Sequence, residues 1–275
     1  MNAKKATKRR TAATKGKAAR ITAVANQKGG VGKTTTAHAL IAGLTGMGFK
    51  ALAVDIDPQS NLTFTFNPAK LTPNMYGLLT AASAQKDTAE TALKAIQHTK
   101  QGDILPSNLM LAGADLEFNR TGREYLLTEI IDPLRSLYDY IVIDTPPALG
   151  ILTITALTAA DDMVIPLGAD AYSIQGFEQL QATIATIKKR CNPQLKVAGL
   201  LVTRHNGRTN LAQGLKMDID QKAVQVGTRV YKTIIRESVE VKEAQLDQRS
   251  LFNKKSNTAV ADYLNFVTEY IKGAK

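Results

Sequence analysis

The sequence predicts an α/β fold, a doubly wound and mostly parallel sheet flanked by helices, and three features point there. Short apolar runs recur along the chain, helical stretches separate them, and the first run passes through a Gly-rich turn straight into an amphipathic helix. Strands joined through helices pair in parallel, and sheets of that kind are covered on both faces.

Residues 21–25 read as a buried strand and lead into Asn26-Gln-Lys-Gly-Gly-Val-Gly-Lys-Thr-Thr. The helix that follows is supported by Ala37, Leu40, Ile41 and Leu44, which fall at i, i+3, i+4 and i+7, and Gly46 and Gly48 end it. Residues 51–54 are a second apolar run that closes a βαβ unit. Further strands are expected at 104–105, 141–143, 163–167, 197–202 and 230–235, with helices over 122–137 and 175–191. Pro68 and Pro73 interrupt the pattern in residues 67–100, where helix-prone pieces carry no recognisable chemistry.

Charge divides the chain. The formal net charge is +11, and residues 1–20 hold eight Lys or Arg and no acid, so about +3 remains for the rest. Lys4, Lys5, Lys8, Arg9, Arg10, Lys15 and Lys17 are spaced by Ala, Thr and Gly, which offer nothing to bury. Residues 1–19 are therefore expected to be a disordered basic tail and residues 20–275 one domain. Such a tail attracts polyanions through counterion release, the alternative being a solvated segment that only aids solubility. Cys191 is the single cysteine, which excludes an intrachain disulfide, a zinc knuckle and a cluster bridged by paired cysteines. With no apolar run of membrane-spanning length and no secretory leader pattern, a soluble intracellular protein is expected. His38, His98 and His205 show no ligand spacing.

Glycines at 29, 30 and 32 allow the backbone to turn tightly and aim its N–H groups inward, so the segment Lys28, Gly29, Gly30, Val31, Gly32, Lys33, Thr34, Thr35 suits phosphate oxygens at a helix start. Lys33 is placed to reach the β- and γ-phosphates of a nucleotide, and the Thr34 hydroxyl to ligate the Mg²⁺ that bridges them. In Tyr140-Ile-Val-Ile-Asp144 an apolar strand ends in a carboxylate, as a residue holding Mg²⁺ through water requires. Asp55 and Asp57 follow another strand, where ligands bind in α/β sheets, although a turn or cap role also suits Asp55.

The loop departs from the usual P-loop pattern, because Gln27 stands where a glycine is standard and Lys28 follows it. Lys-Gly-Gly-x-Gly-Lys-Thr is the mark of deviant Walker A ATPases, and the longer string from Asn26 resembles the ParA family of P-loop NTPases. That resemblance covers nearly everything from Arg20 onward. It implies an ATP- and Mg²⁺-dependent ATPase that forms a nucleotide-sandwich homodimer, with Lys28 reaching the partner's phosphates as an arginine finger would. Asp55-Ile-Asp57-Pro-Gln-Ser60-Asn resembles the family's Asp-x-Asp-Pro-Gln-Gly-Asn, so the resemblance implies that Asp57 orients or polarises the attacking water, with a possible link to Mg²⁺ through water; Ser60 replaces the usual glycine. The Pro-Pro after Thr145 resembles a switch loop sensing the γ-phosphate.

The same resemblance implies nonspecific binding to double-stranded DNA, a ParB-like adaptor that stimulates hydrolysis, and a role in plasmid or chromosome partition in the cytoplasm at the nucleoid. Arg208 in Asn206-Gly-Arg-Thr-Asn matches a DNA-contacting arginine of the family, and so does Arg236, although Ile235 and Glu237 replace its usual neighbours Pro and Asn. Arg249, Lys254 and Lys255 are candidates to extend the basic surface. A MinD-like membrane switch is the alternative: Val260, Tyr263, Leu264, Val267 and Ile271 form an apolar stripe, but with Asp262, Glu269 and Lys272 opposite it the segment is expected to pack on the core. A metabolic P-loop enzyme is a third reading, for which no substrate-binding insertion or second catalytic constellation is evident.

Overall fold

The computed structural model describes residues 18–169, 177–205, 213–253 and 258–273. Within these residues one sheet is built from β1 (Arg20–Val24), β2 (Ala51–Asp55), β3 (Gln97–Thr99), β4 (Gly102–Leu105), β5 (Tyr140–Asp144), β6 (Asp162–Gly168) and β7 (Lys196–Thr203). Their spatial order is β3-β4-β2-β5-β1-β6-β7, parallel throughout except for the antiparallel β3–β4 pair at one edge. The α/β doubly wound reading therefore holds, and six of the expected strands coincide with β1, β2, β4, β5, β6 and β7 to within two residues.

Alternation along the strands sorts side chains into two cores. Ile21, Ala23, Leu52, Val54, Ile141 and Ile143 face one layer, which the helices Met75–Ser83, Leu126–Ile131, Ile151–Ala159 and Phe177–Arg190 cover. Val24, Ala51, Ala53 and Val142 face the other, under the helices Lys33–Gly46 and Thr258–Gly273. Close approach of those two helices depends on Gly43, where a Cβ would lie 2.9 Å from a Val267 methyl. Tyr263, Phe266, Val267 and Tyr270 are buried, so the terminal helix packs on the core as expected. Its acids also turn inward: Glu269 accepts the amides of Lys232 and Thr233, at 2.8 and 3.1 Å, and Asp262 is buried. No helix among the described residues is long and apolar enough to cross a membrane.

Two expectations need correction. Residues 230–235 are not a strand of the sheet, because Glu269 occupies the Lys232 and Thr233 amides and leaves only isolated bridges, Leu200–Val230 and His205–Arg236. The helix expected over 122–137 is broken into a 3₁₀ turn at Arg123–Tyr125, a helix at Leu126–Ile131 and a 3₁₀ turn at Asp132–Leu134; Pro133 lacks the N–H that a continuous helix needs. Residues 67–100 contain the helices Met75–Ser83 and Ala89–Ala95 and the strand β3, which is too short and polar for periodicity to mark. The helix expected at 175–191 appears as Phe177–Arg190, with residues 175 and 176 outside the described set.

His38, in the Lys33–Gly46 helix, is fully enclosed beside Phe66. Gln101 donates to the carbonyls of Thr65 and Gln248, so its Oε1 accepts from His38 Nε2 at 2.7 Å, and Nδ1 is left buried without a partner. Burial lowers the His38 pKa to about 4 from 6.5, against the opposing pull of Gln101. Because the unfolded chain takes up this proton at higher pH than the folded one, the contribution to stability is complete above pH 6.5 and is lost as pH falls toward 4. The loss at full protonation is about 3 kcal/mol. Urea unfolding between pH 7 and pH 4 should show a shallower acid decline in His38→Leu than in the wild type; parallel declines would exclude this histidine as a source.

Candidate active site

Register brings the chemistry together. Val24 and Asp55 both lie level with Asp144 on β5, so the chain segments that leave β1, β2 and β5 start from one height at the carboxyl end of the sheet. The segment leaving β1 is the Gly-rich loop, and side chains fix it from several directions. Asn26 donates to the Pro166 carbonyl at 2.6 Å and accepts the Lys28 amide at 3.0 Å. Thr203, at the end of β7, donates to Val31 O at 2.8 Å, and Gln245 reaches Thr35 Oγ1 at 3.0 Å. Gly30 and Gly32 take φ of 73° and 81°, the left-handed region that favours glycine. Gly32 precedes the Lys33–Gly46 helix and supplies no side-chain cap, so the first helical N–H groups face the loop with the positive end of the helix dipole behind them.

Lys33 and Asp144 face one another in the floor of this site. Lys33 is 7% exposed and its Nζ donates to the Lys28 carbonyl at 3.0 Å. Burial lowers its pKa, while Asp144 and Asp57 pull the other way. Asp144 is fully buried and no hydrogen bond of normal geometry reaches either carboxylate oxygen. Its pKa is raised well above the carboxylate range by burial and by the charge of Asp55, against the Thr34 hydroxyl and Lys33.

Asp55 and Asp57 divide into a support and a cleft-lining side chain. Asp55 is fully buried and accepts Thr63 N at 2.8 Å, Thr63 Oγ1 at 2.7 Å and Asp57 N at 3.1 Å, which anchors the Asn61–Phe66 helix and the turn before it. Burial pushes its pKa up to about 7. The turn role considered for Asp55 is one it fills, through the Asp57 amide. Asp57, held by the Gln59 amide at 2.9 Å, lines the cleft instead. Ser60 sits at φ 54°, ψ 30°, a left-handed conformation that explains why glycine suits this turn.

Lys33, Thr34 and Asp57 line a cleft of about 670 Å³, a size that suits a nucleotide, whereas Asp55 and Asp144 are buried behind its lining. Its far wall comes from Ile235, Arg236, Val241, Gln245 and Leu246, with Tyr263 beneath. Sequence reasoning missed this wall, Gln245 and Arg204; the one available signal was that Arg204 follows a strand end. Gly29, Gly30, Gly32, Lys33, Thr34, Thr35 and Asp57 all line the cleft, whereas Lys28 and Val31 line a smaller neighbouring pocket of about 200 Å³ with Gly29 and Gly30.

The expected DNA-contacting cations are a different matter. Arg236 holds Asp262 with two bonds, Nε–Oδ2 at 2.8 Å and Nη2–Oδ1 at 2.6 Å, and so clamps the cleft wall to the terminal helix. Arg249 pairs with Asp247 at 3.1 Å and is only 16% exposed. Arg249 is thus largely enclosed, whereas the Arg236 side chain stays 46% exposed while it pairs with Asp262. Arg208, Lys254, Lys255 and residues 1–17 of the basic tail lie outside the described residues.

The residues fit a magnesium nucleotide. Among the described residues no group of three or more His, Cys, Asp or Glu side chains forms a metal cage, and Mg²⁺ bound with phosphates needs none, since it keeps waters and takes one or two protein oxygens. Asp144, buried beside the Thr34 hydroxyl and Lys33 with no hydrogen bond of normal geometry to its carboxylate, is a donor of that kind.

Comparison with known proteins agrees with this geometry. A family model described as AAA domain matches residues 19–197. The sporulation initiation inhibitor protein Soj of Bacillus subtilis is 38% identical over 82% of this chain and 87% of its own length. The chromosome partitioning protein ParA of Myxococcus xanthus is 37% identical over 82% of this chain and 77% of its own. Among solved structures, cobyrinic acid a,c-diamide synthase from Mycobacterium smegmatis, with bound ATP analog and magnesium, superimposes with a TM-score of 0.79 at 32% identity, covering 94% of this chain and 96% of that one.

Thr63 tests the support assigned to Asp55. Thr63→Val keeps the shape of the side chain but removes the hydroxyl that donates to Asp55 and accepts the Ser107 amide at 2.9 Å. Leaving these buried groups short of a partner should cost about 1–3 kcal/mol in urea unfolding. A change within experimental error would mean that Asp55 does not depend on this contact.

Proposed function

Since this chain belongs to the ParA family of P-loop ATPases, we propose that it is an ATP-dependent, dimerising switch that binds DNA without sequence preference and serves plasmid or chromosome partition. The observation that carries the reading is that Lys33 and Asp57 line one cleft at the uncapped start of the Lys33–Gly46 helix, with the buried Asp144 acting on the Lys33 charge. In this reading the amides from Gly29 to Thr34 and the Lys33 ammonium hold the ATP phosphates, and Val31 and Thr35 complete the loop. Thr34 binds Mg²⁺ directly, Asp144 through water, and Asp57 orients the attacking water. Mg²⁺ held by these residues would supply positive charge against the nucleotide phosphates. Lys28 serves a partner copy across the dimer, and an adaptor of the ParB kind stimulates hydrolysis.

Residues 20–275 then form the ATPase domain, joined by Ala19, which is buried with its amide on the Arg135 carbonyl, and the residues before it form the basic tail of a protein at work in the cytoplasm at the nucleoid. Arg208, Arg236, Arg249, Lys254, Lys255 and the tail carry the DNA contacts in this proposal, Arg236 being exposed beside its ion pair with Asp262. The synthase likeness supports a second reading, a small-molecule amidation enzyme built on the same ATP site. The MinD-like alternative loses support because the apolar stripe of the terminal helix is largely spent on the core.

Binding to random-sequence duplex DNA with ATP, with ADP and with no nucleotide separates these readings. The switch predicts binding that requires ATP and is lost in Arg208→Ala, and ATP-dependent dimers that persist in Asp57→Ala by sedimentation. Deleting residues 1–17, which hold seven Lys or Arg, should flatten the salt dependence by about 0.9 per lost phosphate contact. Absence of DNA binding in every nucleotide state would sink the partition reading and favour the synthase-like one.

A further inference from the structure

Arg204 stands directly after β7 with φ of 55°, a left-handed conformation that side chains of its size rarely adopt. Such a position persists when surrounding contacts over-determine it, and it directs attention to what the side chain does. Its Nη1 donates to the Gly30 carbonyl of the phosphate loop at 2.8 Å, and its Nη2 lies 3.3 Å from Glu237 Oε1. Glu237 is shared, because Lys242 Nζ lies 3.5 Å from the same oxygen. Arg204 and Glu237 line both the large cleft and the smaller pocket that Lys28 lines, so they stand on the boundary between the two.

The Arg204 side chain is 52% exposed and that of Glu237 41%. An ion pair so open to water contributes little to folding stability and exchanges readily. The guanidinium fork can keep one N–H on the Gly30 carbonyl while another turns to a new acceptor. A nucleotide polyphosphate carries several negative charges against the single charge of Glu237, and oxygens held by the amides of Gly29 and Gly30 would be close at hand.

We propose that Arg204 is a polyphosphate-binding residue of the cleft, held beside the loop by Glu237 until phosphate oxygens replace that carboxylate. This rests on the reading of the cleft as a nucleotide site. Glu237 then sets the affinity, because each bound nucleotide must displace it.

Equilibrium binding of ATP, ADP and adenosine, with Mg²⁺ present, tests the assignment in wild type, Arg204→Met, Arg204→Lys, Glu237→Gln and the double variant. Arg204→Met should weaken ATP and ADP roughly tenfold, as loss of one charge-assisted hydrogen bond does, and leave adenosine within about twofold. Arg204→Lys should recover part of the loss. Glu237→Gln should tighten ATP, and that gain should vanish when Arg204 is also Met. Equal weakening of ATP and adenosine would show that Arg204 only shapes the loop, and unchanged ATP affinity in both single variants would remove it from the site; either result overturns the proposal. If the wild type binds none of the three, the nucleotide reading itself fails, an outcome distinct from the other two.

Discussion

The site depends on a lysine and an aspartate that are buried in contact range of each other's charge at the end of a parallel sheet. Lys33 is fixed by the Lys28 carbonyl and by its place on the first turn of a helix, and Asp144 by the end of β5. Burial makes each charge costly, and Asp144 has only the Thr34 hydroxyl and the Lys33 charge to offset the cost. A group left in that condition is a reservoir for binding a ligand that brings both positive charge and acceptors. A magnesium polyphosphate brings both, its metal to the carboxylate and its oxygens to the ammonium.

Much of the remaining sequence keeps that arrangement in place. Thr203 and Asn26 tie the loop to β6 and β7, and Asp55 ties the segment with Asp57 to Thr63. Gln101 joins the Lys33–Gly46 helix, the Asn61–Phe66 helix and the Gln248 carbonyl around His38. These three pieces all border the cleft, so a displacement in one is felt by the others through side chains that have no spare partner. The terminal helix contributes in the same way. Its Asp262 and Glu269 are hydrogen-bond acceptors for the cleft wall, through Arg236 and through the Lys232 and Thr233 amides.

Local features were legible in the sequence. The buried strands announce themselves as apolar runs, and the Gly-rich loop and the carboxylates at 57 and 144 stand directly after such runs, where position alone gives them meaning. What remained hidden depends on partners distant in sequence. The far wall of the cleft is assembled from residues 235–246, where no motif marks Val241, Gln245 or Leu246, and residues 230–235 resemble a strand until Glu269, more than thirty positions later, takes their amides. Arg236 matched a surface arginine in its local string, but its fate was decided by Asp262. The short, polar β3 could only be found through its pairing with β4.

The most direct measurement of the central claim is calorimetric titration of ATP into the full chain, with and without Mg²⁺, in wild type and Lys33→Ala. The account predicts saturable binding of one ATP per chain that Mg²⁺ strengthens and that Lys33→Ala abolishes. Binding indifferent to both the metal and the lysine would contradict the assignment of this buried pair as the magnesium–nucleotide site.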